Sequence, residues 1–499
     1  VPSSVAKTGQ CSLKRERERE TSMAGFVFLI VLFLSIHCFS VASSSEPLFF
    51  PLTHSLSEFN TTQQLLQSTS ARSAARSRRH AHPNNRRQLS ISISSTDYTL
   101  SFTIGSSPAR RVSIYLDTGS DLVWFPCSPF ECILCEGKYG AGGGFVVNIT
   151  SAASVGCKNP ACAAAHASPS ASDLCAVASC PLEEIETGDC AAYDCPDFYY
   201  AYGDGSLVAR LRRDTLSIGP SSRSLTLHNF TFACSHTALA EPVGVAGFGP
   251  GVLSLPAQLG GLSPRLGRRF SYCLVSHSFN PTRLRLPSPL ILGRSSVSDG
   301  GADSTPFVYA PLLTNTLRPY LYSVALDAIT LGDARIPAPA SLRQVDFRGN
   351  GGMVVDSGTT YTMLPSNLFL ALVDELDSRL LPAYRRAGET EVRTGLRPCY
   401  LLGRAGDARA AAVPKLAFQL GGNATVWMPK RNYFYEFLDG GDGERVGCLM
   451  VMDGGDELES AVLGNYQQQG LEVAYDLERR RVGFARRKCA ALWATLNGR

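Results

Sequence analysis

Two aspartates, Asp117 and Asp356, each end an apolar run and open a turn made of hydroxyl residues and glycine. The first stands in Ile114-Tyr115-Leu116-Asp117-Thr118-Gly119-Ser120, the second in Met353-Val354-Val355-Asp356-Ser357-Gly358-Thr359. A single Asp-[Ser/Thr]-Gly triplet arises by chance in roughly one of every five chains of this length. Two copies with matching flanks say more: two similar halves each deliver one carboxylate on the end of a strand. Two carboxyl groups face to face in a low-dielectric cleft do not both ionise, because like charges repel strongly at close range. One proton is then shared, and the titration belongs to the pair. Such a dyad can deprotonate a water with one member and protonate a peptide carbonyl with the other. The hydroxyls of Thr118, Ser120, Ser357 and Thr359 are candidates to hydrogen-bond the carboxylates or the facing loop. Gly119 and Gly358 let the backbone approach closely.

The elements that must hold these turns are short strands. From about Leu89 the chain alternates apolar and polar residues between Gly, Pro, Asn and Asp, as in Tyr98-Thr99-Leu100-Ser101-Phe102-Thr103-Ile104. Helical signals are few; the clearest is Ser366 to Leu381, after Pro365. That profile predicts a mostly antiparallel, all-β protein. The half-to-half repeat continues downstream of each aspartate, in Val245-Ala246-Gly247 and Val462-Leu463-Gly464. Two lobes follow, 89–290 with Asp117 and 291–499 with Asp356. Segment 278–305, rich in Pro, Arg and Ser, is the expected connection, with Leu290-Ile291-Leu292-Gly293 a candidate strand inside it.

At 499 residues, with 18% charged and 9% aromatic residues, the chain has a globular composition and room for large cores. Its net charge of +4 is concentrated at the front: residues 1–87 hold 11 Lys/Arg and 5 Asp/Glu. The remainder holds 36 basic and 38 acidic residues, so no electrostatic case for nucleic-acid binding exists. Residues 1–22 contain no methionine and read as a translated leader. Met23, the apolar stretch Phe26 to Leu34, and Ser40 and Ala42 before a cleavage point read as a secretory signal over 23–42. A genuine extension with a signal anchor is the alternative, against which the apolar core is short for a membrane span. No stable membrane span is expected after signal removal. Residues 43–88 are polar, with Arg72, Arg76, Arg78, Arg79, Arg86 and Arg87 beside His80 and His82. They read either as a solvated linker or as a prosegment whose cations cover the two aspartates until acid protonates them.

Fourteen cysteines follow the expected cleavage, nine of them from Cys127 to Cys195. An oxidising compartment makes such a cluster disulfides, with connectivity left open. The zinc alternative rests on Cys132 and Cys135 and lacks a second ligand pair at metal spacing. Asn148-Ile149-Thr150, Asn229-Phe230-Thr231 and Asn423-Ala424-Thr425 are N-glycan sequons, and Asn60 heads a fourth that a prosegment would carry away. Gly247-Phe248-Gly249-Pro250-Gly251 is a turn too interrupted by proline to cradle phosphate. The eight histidines show no metal spacing, and no metal or organic cofactor is expected.

With these motifs in view, the chain resembles the pepsin-like aspartic proteases, and more narrowly their plant nepenthesin-type branch, over roughly residues 90–490. The resemblance implies a bilobal all-β fold with few short helices and a cysteine-rich insert in the N-terminal lobe. It assigns catalysis to Asp117 and Asp356 and their support to Thr118, Gly119, Ser120, Ser357, Gly358 and Thr359. It places Trp124 beside the first motif and a mobile hairpin flap at Tyr199-Tyr200-Ala201-Tyr202-Gly203-Asp204-Gly205-Ser206. Tyr202 would be the flap tyrosine, with Gly203 and Asp204 at the flap turn. Asp121 adds a carboxylate close to the first motif, as in the plant branch, and no long saposin-like insertion interrupts the second half. The implied activity is acidic hydrolysis of polypeptides by a secreted or vacuolar monomer made as a zymogen. A non-catalytic relative of the plant xylanase inhibitors is the alternative. A glycosidase with two carboxylates is a weaker rival, since it leaves the repeated turns unexplained.

Overall fold

The computed structural model describes residues 47–55, 66–67, 69–70, 97–106, 108–135, 146–166, 193–202, 205–219, 224–239, 243–294, 305–404, 412–439 and 443–498. The expected leader, signal peptide, arginine-rich stretch and Asn60 lie outside the described residues, as do Gly203 and Asp204.

Strands dominate. The first four are β1 (Leu48–His54), β2 (Tyr98–Ile104), β3 (Arg110–Asp117) and β4 (Val123–Ile133). Strand β2 matches the alternation read from sequence: Tyr98, Leu100, Phe102 and Ile104 are buried while Thr99, Ser101 and Thr103 lie on the half-buried face. It pairs antiparallel with β3, Thr99 opposite Tyr115 and Ile104 opposite Arg110. A 14-stranded sheet draws on both halves of the chain, and three smaller sheets belong to the second half.

Each half builds the same crossing around its aspartate. Strand β3 runs parallel to Val245–Gly247, with Asp117 opposite Gly247, and β4 pairs antiparallel with that same strand. In the second half Met353–Val355 runs parallel to Ala461–Leu463, and Thr362–Leu364 meets it antiparallel. The glycine at the end of each central strand is required by contact. A Cβ on Gly247 would stand 2.5 Å from Leu122 N, and one on Gly464 would stand 2.5 Å from the Tyr361 carbonyl carbon. Leu122 and Tyr361 occupy the same place in their loops, the fifth position after the aspartate.

Helix Ser366–Leu380 begins after Pro365 as the sequence predicts and buries Leu368, Phe369, Leu372, Val373, Leu376 and Leu380 on one stripe. Burying each side chain of this size contributes about 2 kcal/mol. The candidate strand near Leu290 is present as Ser288–Leu292.

Strand β1 is the main departure from the sequence reading. Residues 43–88 read as polar, yet Leu48–His54 sits inside the large sheet, between β2 and Ser288–Leu292. Phe50 and Leu52 are fully buried there. The apolar run Leu48-Phe49-Phe50-Pro51-Leu52 is short enough to be diluted by its polar surroundings, and long enough to fill a sheet position.

Disulfides join Cys127 to Cys234, Cys132 to Cys135, Cys162 to Cys195, Cys273 to Cys489 and Cys399 to Cys448. The Cys132–Cys135 bond replaces the zinc alternative for that pair. His166 lies with Cys162 and Cys195 in a metal-like grouping, but those two sulfurs are bonded to each other.

Candidate active site

The two Asp-containing turns meet through a reciprocal set of hydrogen bonds. Ser357 N–H donates to Thr118 Oγ1 at 2.8 Å, and Thr118 N–H donates to Ser357 Oγ at 3.0 Å. Each hydroxyl then donates across to the other half's strand, Thr118 to Val355 O at 3.0 Å and Ser357 to Leu116 O at 3.2 Å. All four bonds are buried and nearly symmetric. They clamp the residues next to Asp117 and Asp356 together, so the two carboxyl groups issue from loops in direct contact.

The glycines fix each carboxylate within its own turn. Gly119 N–H donates to Asp117 Oδ1 at 2.9 Å, and Gly358 N–H to Asp356 Oδ1 at 2.7 Å. Both aspartates are buried, at 3% and 0% exposure. The outer oxygen is treated differently in the two halves. Thr359 Oγ1 donates to Asp356 Oδ2 at 2.6 Å, whereas the buried Ser120 hydroxyl, at the matching position, has no hydrogen-bond partner among the described residues. Seven of the eight expected dyad residues therefore act in this network; Ser120 contributes its backbone, accepting from Gly249 N–H at 2.8 Å.

Beneath the turns lies a polar and aromatic floor that sequence reading missed. Asn465 Nδ2 donates to Ser357 O at 3.0 Å and to Asp97 Oδ2 at 3.1 Å. Gln468 Nε2 donates to Asp356 O at 3.2 Å and Leu463 O at 2.8 Å, and its Oε1 accepts from the Tyr272 hydroxyl. Tyr272 lies 2.9 Å from the Tyr475 hydroxyl, and Tyr475 stacks on Phe270 at 4.6 Å. Burial raises both tyrosine pKa values, so both stay neutral donors. The available signal was Asn465-Tyr466-Gln467-Gln468-Gln469, an amide-rich run directly after the Val462-Leu463-Gly464 repeat.

The flap region forms a hairpin. Strand Phe198–Tyr202 pairs antiparallel with Gly205–Ile218, Tyr202 opposite Gly205. Trp124 is buried in an apolar cluster with Leu122, Phe198 and Leu207, against which Tyr200 packs. The half-buried Asp121 accepts from the Tyr200 hydroxyl at 3.4 Å, and burial raises its pKa from the ordinary value. The sequons Asn148, Asn229 and Asn423 are all exposed.

Residues 98–293 match a family model described as xylanase inhibitor N-terminal, and residues 321–486 match its C-terminal counterpart. A protein of Arabidopsis thaliana named as a probable aspartyl protease is 52% identical over 508 residues, covering 96% of this chain and 100% of that protein. The chain belongs to the pepsin-like aspartic protease family. Within that family of endopeptidases it falls in the plant nepenthesin-type branch. Aspartic proteinase nepenthesin-2 of Nepenthes gracilis is 29% identical across 79% of this chain and 78% of its own. Among solved structures, one described as edgp superposes with a TM-score of 0.56 at 19% identity, covering 78% of this chain and 91% of its own. Conglutin gamma from lupine seeds gives 0.54 at 17% identity over the same shares. At such identities the likeness shows the bilobal fold alone. No helix among the described residues is long and apolar enough to cross a membrane.

Proposed function

We propose that this aspartic protease family member is a secreted endopeptidase that hydrolyses polypeptides at acidic pH, with Asp117 and Asp356 as its paired catalytic carboxylates. The observation that carries the reading is the reciprocal Thr118–Ser357 exchange, which brings the two aspartate loops together. In acid the dyad keeps one proton: one carboxylate takes a proton from the attacking water while the other protonates the scissile carbonyl. Thr118, Gly119, Ser357, Gly358 and Thr359 hold the carboxyl groups in place, and Ser120 shapes the loop. Tyr202, with Gly203 and Asp204 at the turn, closes over the peptide, and Trp124 packs behind the hairpin. Residues 43–88 act as the prosegment, and the lobes divide near 290. Disulfides and three exposed sequons support passage through the secretory pathway, to the cell wall or the vacuole, as a monomer. No metal or organic cofactor takes part.

The test is peptide cleavage by acid-treated, secreted protein across pH 2–8, beside Asp117→Asn. Acid activity that disappears in the variant, and in wild type with an aspartic-protease inhibitor, is expected. The matched family models are described as xylanase inhibitor domains, which favours one second reading, a binding protein on the same fold. Folded protein without cleavage, yet inhibiting a xylanase, would establish that reading instead.

A further inference from the structure

Asp121 stands outside the Thr118–Ser357 clamp, yet two separate elements close on its carboxyl group. From the flap hairpin, the Tyr200 hydroxyl donates to Asp121 Oδ1 at 3.4 Å. From the following loop, Gly251 presses so near that a Cβ there would stand 2.0 Å from Asp121 Oδ2. Tyr320 packs on the neighbouring Gly249: its carbonyl would lie 2.5 Å from a Cβ there, beside Ser120. Burial raises the Tyr320 pKa, opposed by Arg318 and reinforced by the Asp121 charge. A carboxyl group enclosed this way needs a hydrogen-bonding partner, because burying a polar group without one is costly. Tyr200 is the side chain that supplies it. Burial raises the Tyr200 pKa first, and the charges of Asp121, Tyr320 and Asp117 add to it. Tyr200 also stands two residues before Tyr202 on the strand Phe198–Tyr202.

We propose that Asp121 is a positioning residue for peptide hydrolysis: by accepting the Tyr200 hydroxyl it moors the flap strand to the loop that carries Asp117. The inference rests on the endopeptidase reading above. A moored strand is already ordered when substrate arrives, so less freedom is lost on binding. Its loss therefore weakens substrate binding more than it slows the chemical step.

The test is steady-state peptide cleavage at acidic pH by Tyr200→Phe, Asp121→Ala, Asp121→Asn and the Tyr200→Phe/Asp121→Ala double variant, beside wild type. Tyr200→Phe and Asp121→Ala are each expected to raise KM roughly three- to tenfold, as loss of one hydrogen bond implies, with kcat nearly unchanged. The double variant should be no worse than either single one, because both remove the same bond. Asp121→Asn keeps an acceptor oxygen and should recover most of the wild-type KM. Amide hydrogen exchange over 198–202 should quicken in Tyr200→Phe. That variant keeps its ring, so it carries the test even where Asp121→Ala fails to fold. An active wild type with an unchanged KM in Tyr200→Phe would overturn the mooring and leave the endopeptidase reading intact. Additive effects in the double variant would overturn it too. An inactive wild type would sink the endopeptidase reading, and this role with it.

Discussion

Thr118 and Ser357 each accept the other's backbone N–H on a side-chain oxygen, at 2.8 and 3.0 Å, although 239 residues separate them. One exchange fixes the relative position of two loops from opposite halves, and so the geometry of any chemistry between Asp117 and Asp356. Thr118→Val keeps the shape but strands the buried Ser357 N–H and leaves the Val355 carbonyl only the longer bond from the Tyr475 hydroxyl, at 3.4 Å. We expect a loss of about 2–4 kcal/mol in unfolding free energy, with a matching fall in peptide cleavage. Thr118→Ser should be mild, since Ser357 already does the same work in the twin loop. Urea denaturation of both variants checks this, and an unchanged midpoint in Thr118→Val would contradict it.

Gly247→Ala should damage folding, while Gly261→Ala should be harmless. The first Cβ would overlap the Leu122 backbone, which has no flexible side chain to yield, whereas nothing lies within 4 Å of the second. We expect Gly247→Ala to cost about 3 kcal/mol or more. Gly261 lies in the helix Leu255–Leu262, where alanine should stabilise by up to about 1 kcal/mol. Secretion yield and thermal melting separate the two.

Acid should cost stability at one buried group and spare a half-buried one. His277 lies against His54, 4.7 Å between ring centroids, with its Nδ1 accepting from Phe279 N–H and the Gln469 amide 2.8 Å from Nε2. Burial first, then the His54 charge, hold its pKa well below the ordinary 6.5, with Asp97 opposing. The unfolded chain therefore binds the proton more readily, and stability falls as pH drops below 6.5. Asp121 works in the opposite sense. Its raised pKa gives stability that is complete below the ordinary 3.8 and is lost as pH rises through the folded value. Denaturation of the full-length chain at pH 7 and pH 5 should show a smaller acid loss in His277→Gln than in wild type. Equal losses would refute the assignment.

Two disulfides should differ sharply in worth. Cys273–Cys489 closes a span of 216 residues, and Cys132–Cys135 a span of 3. In the chain-entropy account, losing the first costs about 5 kcal/mol and the second about 2 kcal/mol or less. Paired serine variants, compared by melting temperature without reductant, measure the difference.

Much of the site was legible because its parts are repeated and local. The two aspartate turns, the glycines of Val245-Ala246-Gly247 and Val462-Leu463-Gly464, strand Tyr98–Ile104 and helix Ser366–Leu380 each follow from spacing within a few residues. What escaped depends on partners far away in sequence. Gln467, Gln468 and Gln469 carry no local sign of burial, yet each is buried and bonded to backbone groups or a histidine. Glu472 is fully buried, held by Arg294 at 2.8 Å and Arg487 at 3.2 Å, a pairing no local pattern announces. The unequal roles of Ser120 and Thr359 are likewise invisible in two matching motifs, since both place a hydroxyl residue third after the aspartate.

Strand β1 has a consequence for how the chain is made. Leu48 pairs with Leu292, about 240 residues downstream, and Leu52 pairs with Leu100 on the other side. Synthesis runs from the N-terminus, so the segment that leaves the ribosome early cannot take its place until Ser288–Leu292 has followed it. Until then β1 has only its short pairing with β2, and its other edge presents unpaired N–H and C=O groups to other chains. The first strand among the described residues is thus among the last to be satisfied, and the interval before its closure is when this protein most needs shielding from aggregation.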